Sequence, residues 1–481
     1  MQVSRRLFLG GMGAFGAFGA FSGCRFLRGT AKAGTPQLTF GVVSDVHVRL
    51  DKSGKGIEKT HSVETLVKTL TWFRDQGVDA VMIAGDIADH GMVGELQAVA
   101  DAWFQVFPND KAPDGRSVAR LFVAGNHDWE GYKYGKFAET VFPDAAERAK
   151  QVLAADYKGN WERIWQEPFA PVWKKCVKGY DFVGGHWTAD RCRGKDEVGI
   201  AGVEDFFAAH GKELDPSRPF FYFQHPHPKD TCYGAAAWGR DCGQSTKALS
   251  PFANAIAFSG HSHYTLTDER SVWQGAFTSI GTASLRYTCD YEEALEGGYE
   301  NKKKGSLMPK IETFDNRQGL LVKVFDDQVA LTRRDFMRDA GLGDDWVMPL
   351  PVAENRPFAF AARAKALGAP AFPEGAQAVA AETTVGKDKK AALKVAFPAA
   401  LAAKTRVYDY VVRFAFADGK EQTFHLLAPG YHRAVTDPEA TASVDFVLAR
   451  DRLPADLKGA TVTVLPRSSH GVLGGALKAS V

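Results

Sequence analysis

The sequence predicts an α/β domain followed by a smaller all-β domain, and three observations carry that expectation. Short continuous apolar runs rich in Val, Ile and Phe recur from Leu38 to about Ser284, each broken off by an abrupt polar cluster. Such runs suit strands covered on both faces, hence sheet flanked by helices. Beyond about Val352 the pattern turns to alternation, as in Val407-Tyr408-Asp409-Tyr410-Val411-Val412-Arg413-Phe414, which suits half-exposed strands. At 481 residues, 45% apolar, 24% charged and 12% aromatic, the chain can bury both cores and shows none of the bias of collagen, wholesale disorder or a polytopic membrane protein.

The expected strands of the first domain lie at 38–43, 78–84, 118–124, 220–223 and 255–258. Between the first two, Val63, Leu66, Val67, Leu70 and Phe73 recur at helical spacing and stop before Gly77, giving a strand-helix-strand unit. The Pro- and Ala-rich stretch 357–403 reads as a linker. After it come a hairpin signal at Asp418-Gly419 and strand-like runs at 443–448 and 460–465, all in a small sandwich-like domain without a catalytic constellation of its own. The expected division is a leader over 1–33, a catalytic domain over 35–350 and a β domain over 351–481.

The leader begins Ser4-Arg5-Arg6-Leu7-Phe8-Leu9, continues as a Gly- and Ala-rich run to Gly23, and carries no acid before Asp45. It resembles a twin-arginine export signal. The apolar part, Leu7 to Gly23, is 17 residues, short of the ~20 that a bilayer span needs, so no transmembrane span is expected in the mature chain. Two processing sites compete. Ala31-Lys32-Ala33 has the small-x-small pattern of signal peptidase, whereas Phe21-Ser22-Gly23-Cys24 resembles an imperfect lipobox that would leave a lipid anchor on Cys24. Either implies export to the periplasm or cell envelope through the twin-arginine machinery. The whole-chain net charge of +2 becomes −3 once the five basic residues of 1–33 are removed, and a charge so near balance excludes a protein that coats nucleic acid. In an oxidising compartment Cys176 with Cys192 and Cys232 with Cys242 are the locally nearest disulfide pairs, and no C-x-x-C zinc pattern occurs.

Each expected strand of the first domain ends in groups that bind metals. In order they are Asp45-Val46-His47, Gly85-Asp86, Gly125-Asn126-His127-Asp128, His225-Pro226-His227 and Gly260-His261-Ser262-His263. Ligands of open α/β sheets gather beyond the carboxyl ends of the strands, where these clusters fall. Any one block is a weak signal. The set, in this order, resembles the calcineurin-like metallophosphoesterase superfamily over about 38–284. That resemblance implies a β-sandwich flanked by helices, in α/β/β/α layers, and two metal ions of the manganese, iron or zinc class, for which carboxylate, imidazole and amide oxygen are suitable donors. It also implies residue roles. Asp45, His47, Asp86 and His263 would hold one metal; Asn126, His225, His261 and the other oxygen of Asp86 would hold the second. A metal-bridging hydroxide would attack the phosphorus of a phosphomonoester or phosphodiester, with His127 stabilising or protonating the departing oxygen and Asp128 orienting its ring.

His225 stands first after its apolar run and is the expected ligand, with His227 in reserve as a neighbour or substrate contact. Arg240, in the segment 230–244 between two ligand blocks, is a candidate phosphate contact. The 98-residue step from His127 to His225 holds Tyr132, Tyr134, Trp161, Trp165, Trp173 and Trp187, which would either fill a core or cap the metals. A competing reading is a non-catalytic cell-envelope binding protein on the same scaffold. Degenerate modules of that kind lose ligands or the His after Asn, and here all are present.

Overall fold

The structure is a computed structural model that describes residues 34–59, 63–188, 199–234, 237–289, 293–294, 297–303, 307–308, 316–401, 406–431 and 442–481. The leader, Cys24, His61 and Cys192 lie outside the described residues. No helix among the described residues is long and apolar enough to cross a membrane.

The first domain is two facing sheets between two layers of helices. Strands β1 (Leu38–Val43), β2 (Ala80–Ala84) and β3 (Ala119–Val123) run parallel, linked by α1 (Glu64–Asp75) and α2 (Val93–Val106). The chain then passes through α3 (Asn126–Glu130), α4 (Phe137–Val141), α5 (Ala145–Gln151) and α6 (Tyr157–Trp165). The second sheet follows, with β4 (Val172–Val177), β5 (Tyr180–Gly185), α7 (Val203–His210), β6 (Phe220–Gln224), α8 (Gln244–Leu249), β7 (Ala255–Ser259), β8 (Val272–Gln274) and β9 (Thr278–Gly281). Its order is β4-β5-β6-β7-β9-β8, parallel from β5 through β9 and antiparallel at both edges.

A two-residue pair, β10 (Glu293–Ala294) and β11 (Gly297–Gly298), precedes β12 (Gln318–Val324), which returns to the first sheet antiparallel to β1. Antiparallel β13 (Gln328–Asp335), β14 (Ala340–Gly341) and β15 (Trp346–Pro349) complete that sheet.

Residue alternation decides which face meets which layer. Phe40 and Val42, Ala80 and Met82, Leu121 and Val123 face Phe221 and Phe223, Ile256 and Phe258 in a core between the sheets. The ring of Phe40 lies 4.8 Å from Phe221 and 5.2 Å from Phe182. The intervening residues Val81, Ile83 and Phe122 pack outward on Leu66, Leu70, Phe73, Trp103, Trp161 and Trp165 of α1, α2 and α6. On the far side Val183, Tyr222 and Ala257 pack on Val203, Phe207 and Leu249 of α7 and α8. The layers are therefore α/β/β/α.

The C-terminal region adds α9 (Phe360–Leu367) and two antiparallel sheets. One is β16 (Val379–Val385), β17 (Lys390–Pro398) and β20 (Ser443–Ala449); the other is β18 (Val407–Ala415), β19 (Glu421–Leu427), β21 (Thr461–Ser468) and β22 (Leu477–Ser480). The stretch 357–403 is thus no plain linker. Its Ala, Val and Leu alternate with Lys and Thr closely enough to build β16 and β17, and Leu393, Val395 and Phe397 reach the core. That core also takes in Cys232, Tyr233, Tyr264, Tyr299 and Met308 from the first domain.

The expected Cys232–Cys242 bridge is not formed. Cys232 is a free, buried thiol receiving the hydroxyls of Thr231 at 3.9 Å and Ser279 at 3.7 Å, whereas Cys242 and Cys176 are each disulfide-bonded.

Candidate metal centre

Parallel strands put all five motif-bearing loops at one end of the sandwich. The loops leave their strands sharply: Asp45, His47, Asp86, His261 and His263 all have φ between 49° and 68°, in the left-handed region. For residues with a Cβ this costs on the order of 1–3 kcal/mol each and persists only where neighbours over-determine it. Here the neighbours are other ligand loops. Asp45 N–H donates to the Gly85 carbonyl (2.9 Å), His47 N–H to the Asp86 carbonyl (3.0 Å), His127 N–H to Asp86 Oδ1 (2.8 Å) and His261 N–H to Asp45 Oδ2 (3.1 Å). Gly85, at φ 89°, is needed twice over, because a Cβ there would enter the ring of His225.

The side chains converge. Asp45, His47, Asp86 and His263 offer one atom each within 4.8 Å of one another, and so do Asp86, His225 and His261. Asn126 joins the second group with Oδ1 3.1 Å from His225 Nε2. All seven expected ligands are therefore brought together, and Asp86 belongs to both groups.

Proton bookkeeping shows that the donor set fits cations. His47 Nδ1 lies 2.8 Å from the Asp89 carboxylate, His225 Nδ1 2.8 Å from the Ala84 carbonyl and His263 Nδ1 3.1 Å from the Tyr287 carbonyl. An acceptor at Nδ1 fixes the proton there and turns the Nε2 lone pair inward. Yet Nε2 of His47 and of His263 stand 3.2 Å apart, and His225 Nε2 stands 3.2 Å from His261 Nδ1 and 3.1 Å from an Asp86 oxygen. Lone pairs and carboxylates that face one another in a buried site require positive charge between them. Two bound cations would supply it.

The titration behaviour follows from the same crowding. Burial opposes ionisation of Asp86, but the imidazoles of His225, His127 and His47 outweigh it and hold the carboxyl well below its usual range. Burial likewise disfavours the His225 cation, while Asp86 and Asp45 push that ring up to about 9; His261, buried and repelled by His225, falls to about 3.

His127 begins beside the ligands and leaves them. Its Nδ1 donates to the Asp89 carbonyl at 2.6 Å, and Nε2 makes no hydrogen bond among the described residues. Asp128 does not orient that ring. Its carboxylate instead accepts the backbone N–H of Gly125 (2.7 Å), Ala88 (2.8 Å) and Ile87 (3.2 Å), tying two ligand loops together. Consecutive residues of a helix point in different directions, and α3 starts at Asn126. The positioning residue is Asp89, whose carboxylate holds His47 and whose carbonyl holds His127; Arg49 Nε anchors it at 2.6 Å.

The two expected substrate contacts, His227 and Arg240, lie side by side. His227 is fully buried, with its ring 5.6 Å from Tyr233 and, among the described residues, no hydrogen-bond partner for either ring nitrogen. Arg240 directs Nη1 to the Ala237 carbonyl at 3.1 Å. The two pair through their backbones as an isolated bridge. That bridge presents Trp238, which the 230–244 segment between two ligand blocks was expected to bring over the site, and its indole stacks on His261 at 4.7 Å. Of the aromatics between His127 and His225, Tyr134 receives Asn126 Nδ2 at 3.2 Å and Trp187 packs 5.7 Å from His261, while Trp161 and Trp165 belong to the helical core.

Residues 38–265 match the family model described as calcineurin-like phosphoesterase. This stretch is a calcineurin-like phosphoesterase domain. Among solved structures, a dimetal phosphatase from Danio rerio is 12% identical, covering 65% of this chain and 99% of that one at a TM-score of 0.36. A purple acid phosphatase from yellow lupin (Lupinus luteus) seeds is also 12% identical, covering 64% of this chain and 53% of that one at 0.37. The zinc complex of Vps29 from Entamoeba histolytica is 8% identical, covering 65% and 99% at 0.29. No curated protein matches the chain. The phosphoesterase domain carries every ligand block at the end of its own strand.

Proposed function

We propose that the chain is an exported hydrolase of phosphomonoesters or phosphodiesters that works with two metal ions. The observation that carries this reading is the convergence of seven donor side chains, with Asp86 common to both groups, whose facing ring nitrogens and carboxylates two metal ions would bridge. Two bound cations would supply an activated water and offset the charge of the phosphate. Asp45, His47, Asp86 and His263 would hold one of them, and Asp86, Asn126, His225 and His261 the other.

The chain's own residues supply the rest. Asp89 fixes the proton of His127 on Nδ1 and so leaves Nε2 for the phosphate or the leaving oxygen. Burial works against the imidazolium, yet Asp86 and Asp89 together raise the His127 ring above its ordinary value, which favours a proton donor. The binding-protein alternative gains no support, since no ligand is missing. Export rests on the Arg5-Arg6 leader alone, with Ala33 or Cys24 as the processing point and the periplasm or envelope as destination.

Purified, metal-loaded protein should hydrolyse a simple aryl monoester or diester, and chelation should abolish the activity until metal is returned. Metal content without hydrolysis across both ester types would sink the reading. Replacing Arg5 and Arg6 by Lys should hold the protein in the cytoplasm if the leader works as read; unimpaired export would remove that part alone.

A further inference from the structure

Large aromatic side chains are normally covered, and one left in solvent beside a reactive centre calls for a partner. Among the described residues four aromatic side chains are well exposed, Tyr134 at 39%, Trp238 at 59%, Tyr287 at 40% and Phe360 at 51%, and the first three all touch the metal centre. Trp238 lies nearly parallel to the ring of His261, 25° between planes at 4.7 Å. Tyr287 sits 4.4 Å from His263 and 6.4 Å from His47. Tyr134 stands 4.9 Å from His127. Three separate chain segments thus each place one exposed ring on a ligand or on the proton-donor histidine.

These rings are held in place. The loop carrying Trp238 is clamped by two backbone bonds, His227 N–H to the Gly239 carbonyl (3.0 Å) and Asp241 N–H to the His227 carbonyl (2.8 Å). The buried Asp241 carboxylate takes the N–H groups of Lys229 and Gly243, both at 2.9 Å, and of Ser245 at 3.2 Å. Gly239, at φ 88°, lets the loop press against Ser262 and His261. Tyr287 is tied by its N–H to Ser284 Oγ (3.1 Å) and by its carbonyl to His263. One face of the indole is spent on His261. The other is open, fixed and beside the phosphate site, which is the arrangement of a stacking platform.

We infer that Trp238, with Tyr287 and Tyr134, forms a stacking subsite for the organic part of the substrate, so that the centre takes phosphoesters bearing a planar aromatic group in preference to esters of sugars, glycerol or peptide serine. This rests on the phosphoester-hydrolase reading. An aryl ester and a nucleotide share the required chemistry, a flat π-system next to the phosphate.

The test compares two matched pairs on the metal-loaded full chain: adenosine 5′-monophosphate with ribose 5-phosphate, and benzyl phosphate with cyclohexylmethyl phosphate. Within each pair the leaving group is the same kind of primary alcohol, so the ratio of kcat/KM reports the ring. At least one ratio should reach about tenfold or more, fall to within about threefold of unity in Trp238→Ala, and largely survive in Trp238→Phe, with metal content measured in both variants. The pair that responds identifies a nucleobase or an aryl group. If only diesters are cleaved, the same four compounds are ranked as competitive inhibitors of bis(4-nitrophenyl) phosphate hydrolysis. Ratios near unity in the unmodified protein, or a preference that persists without Trp238, Tyr287 or Tyr134, would overturn the subsite while leaving the hydrolase intact. Absence of any metal-dependent hydrolysis would remove the hydrolase reading and the subsite with it.

Discussion

Two buried polar clusters in this molecule solve the same physical problem in opposite ways. In the C-terminal sheet, Arg467 donates Nε and Nη2 to the two oxygens of Asp409 at 2.8 and 2.6 Å, with His425 Nδ1 3.2 Å from Nη2. The guanidinium faces the carboxylate in a bidentate fork, and the pair is neutral within the protein. At the centre of the phosphoesterase domain, Asp45 and Asp86 meet four imidazoles and, among the described residues, no guanidinium, and imidazole nitrogens face one another at 3.2 Å. The first cluster is complete as folded. The second gathers donors that two cations would complete, and five of its residues stand at positive φ. Burial of charge alone therefore does not mark a functional site; a buried convergence of metal-donor groups from several loops does.

Substitutions separate the two clusters, and Asp86→Asn should have the largest effect. It removes the carboxylate shared by both ligand groups, so hydrolysis should fall by more than about 10³-fold and metal content should drop, read by elemental analysis. Next, His127→Ala should keep its metals yet lose about 10²–10⁴-fold in rate; an unchanged rate would remove the proton-donor assignment. Asp89→Asn keeps the carbonyl that holds His127 but weakens the support of His47, and a loss of about 10–100-fold in metal affinity or activity is expected. Asp409→Ala strands the Arg467 charge and should cost about 3–5 kcal/mol in denaturant unfolding with no change in metal content, the reverse of the Asp86 pattern. Tyr134→Phe, which removes only the acceptor of Asn126 Nδ2, should cost about 1 kcal/mol or less, seen as a several-fold change in activity.

What could be read from the sequence was what is local to it. Strand β1, the span of α1 and the gathering of all seven donor side chains follow from apolar runs ending in donors, because a strand tip and the donor after it are neighbours in the chain. The split into two sheets did not follow. A strand covered on both faces reads alike whether its cover is a helix or another sheet, and only the meeting of Phe40 with Phe221 and Phe258 settles it.

Adjacency also misled. Asp128 stands next to His127 in sequence, yet its carboxylate turns to the β2 loop and the ring partner is Asp89, 38 residues away. Cys232 and Cys242 are close in sequence, but Cys232 turns into the core shared with the C-terminal sheets, a contact no local pattern encodes. Trp238 carried no signal beyond its position between two ligand blocks, since nothing local says that a bridge between His227 and Arg240 would lay it on His261.

A two-metal centre built on Asp86 has a definite stoichiometry. Purified protein loaded in turn with manganese, iron and zinc, desalted and assayed by elemental analysis, should hold two equivalents per chain, and Asp86→Asn should lose both while Asp409→Ala keeps both. A folded chain that binds no metal, or an Asp86→Asn variant that retains two, would rule out a two-metal centre shared through Asp86.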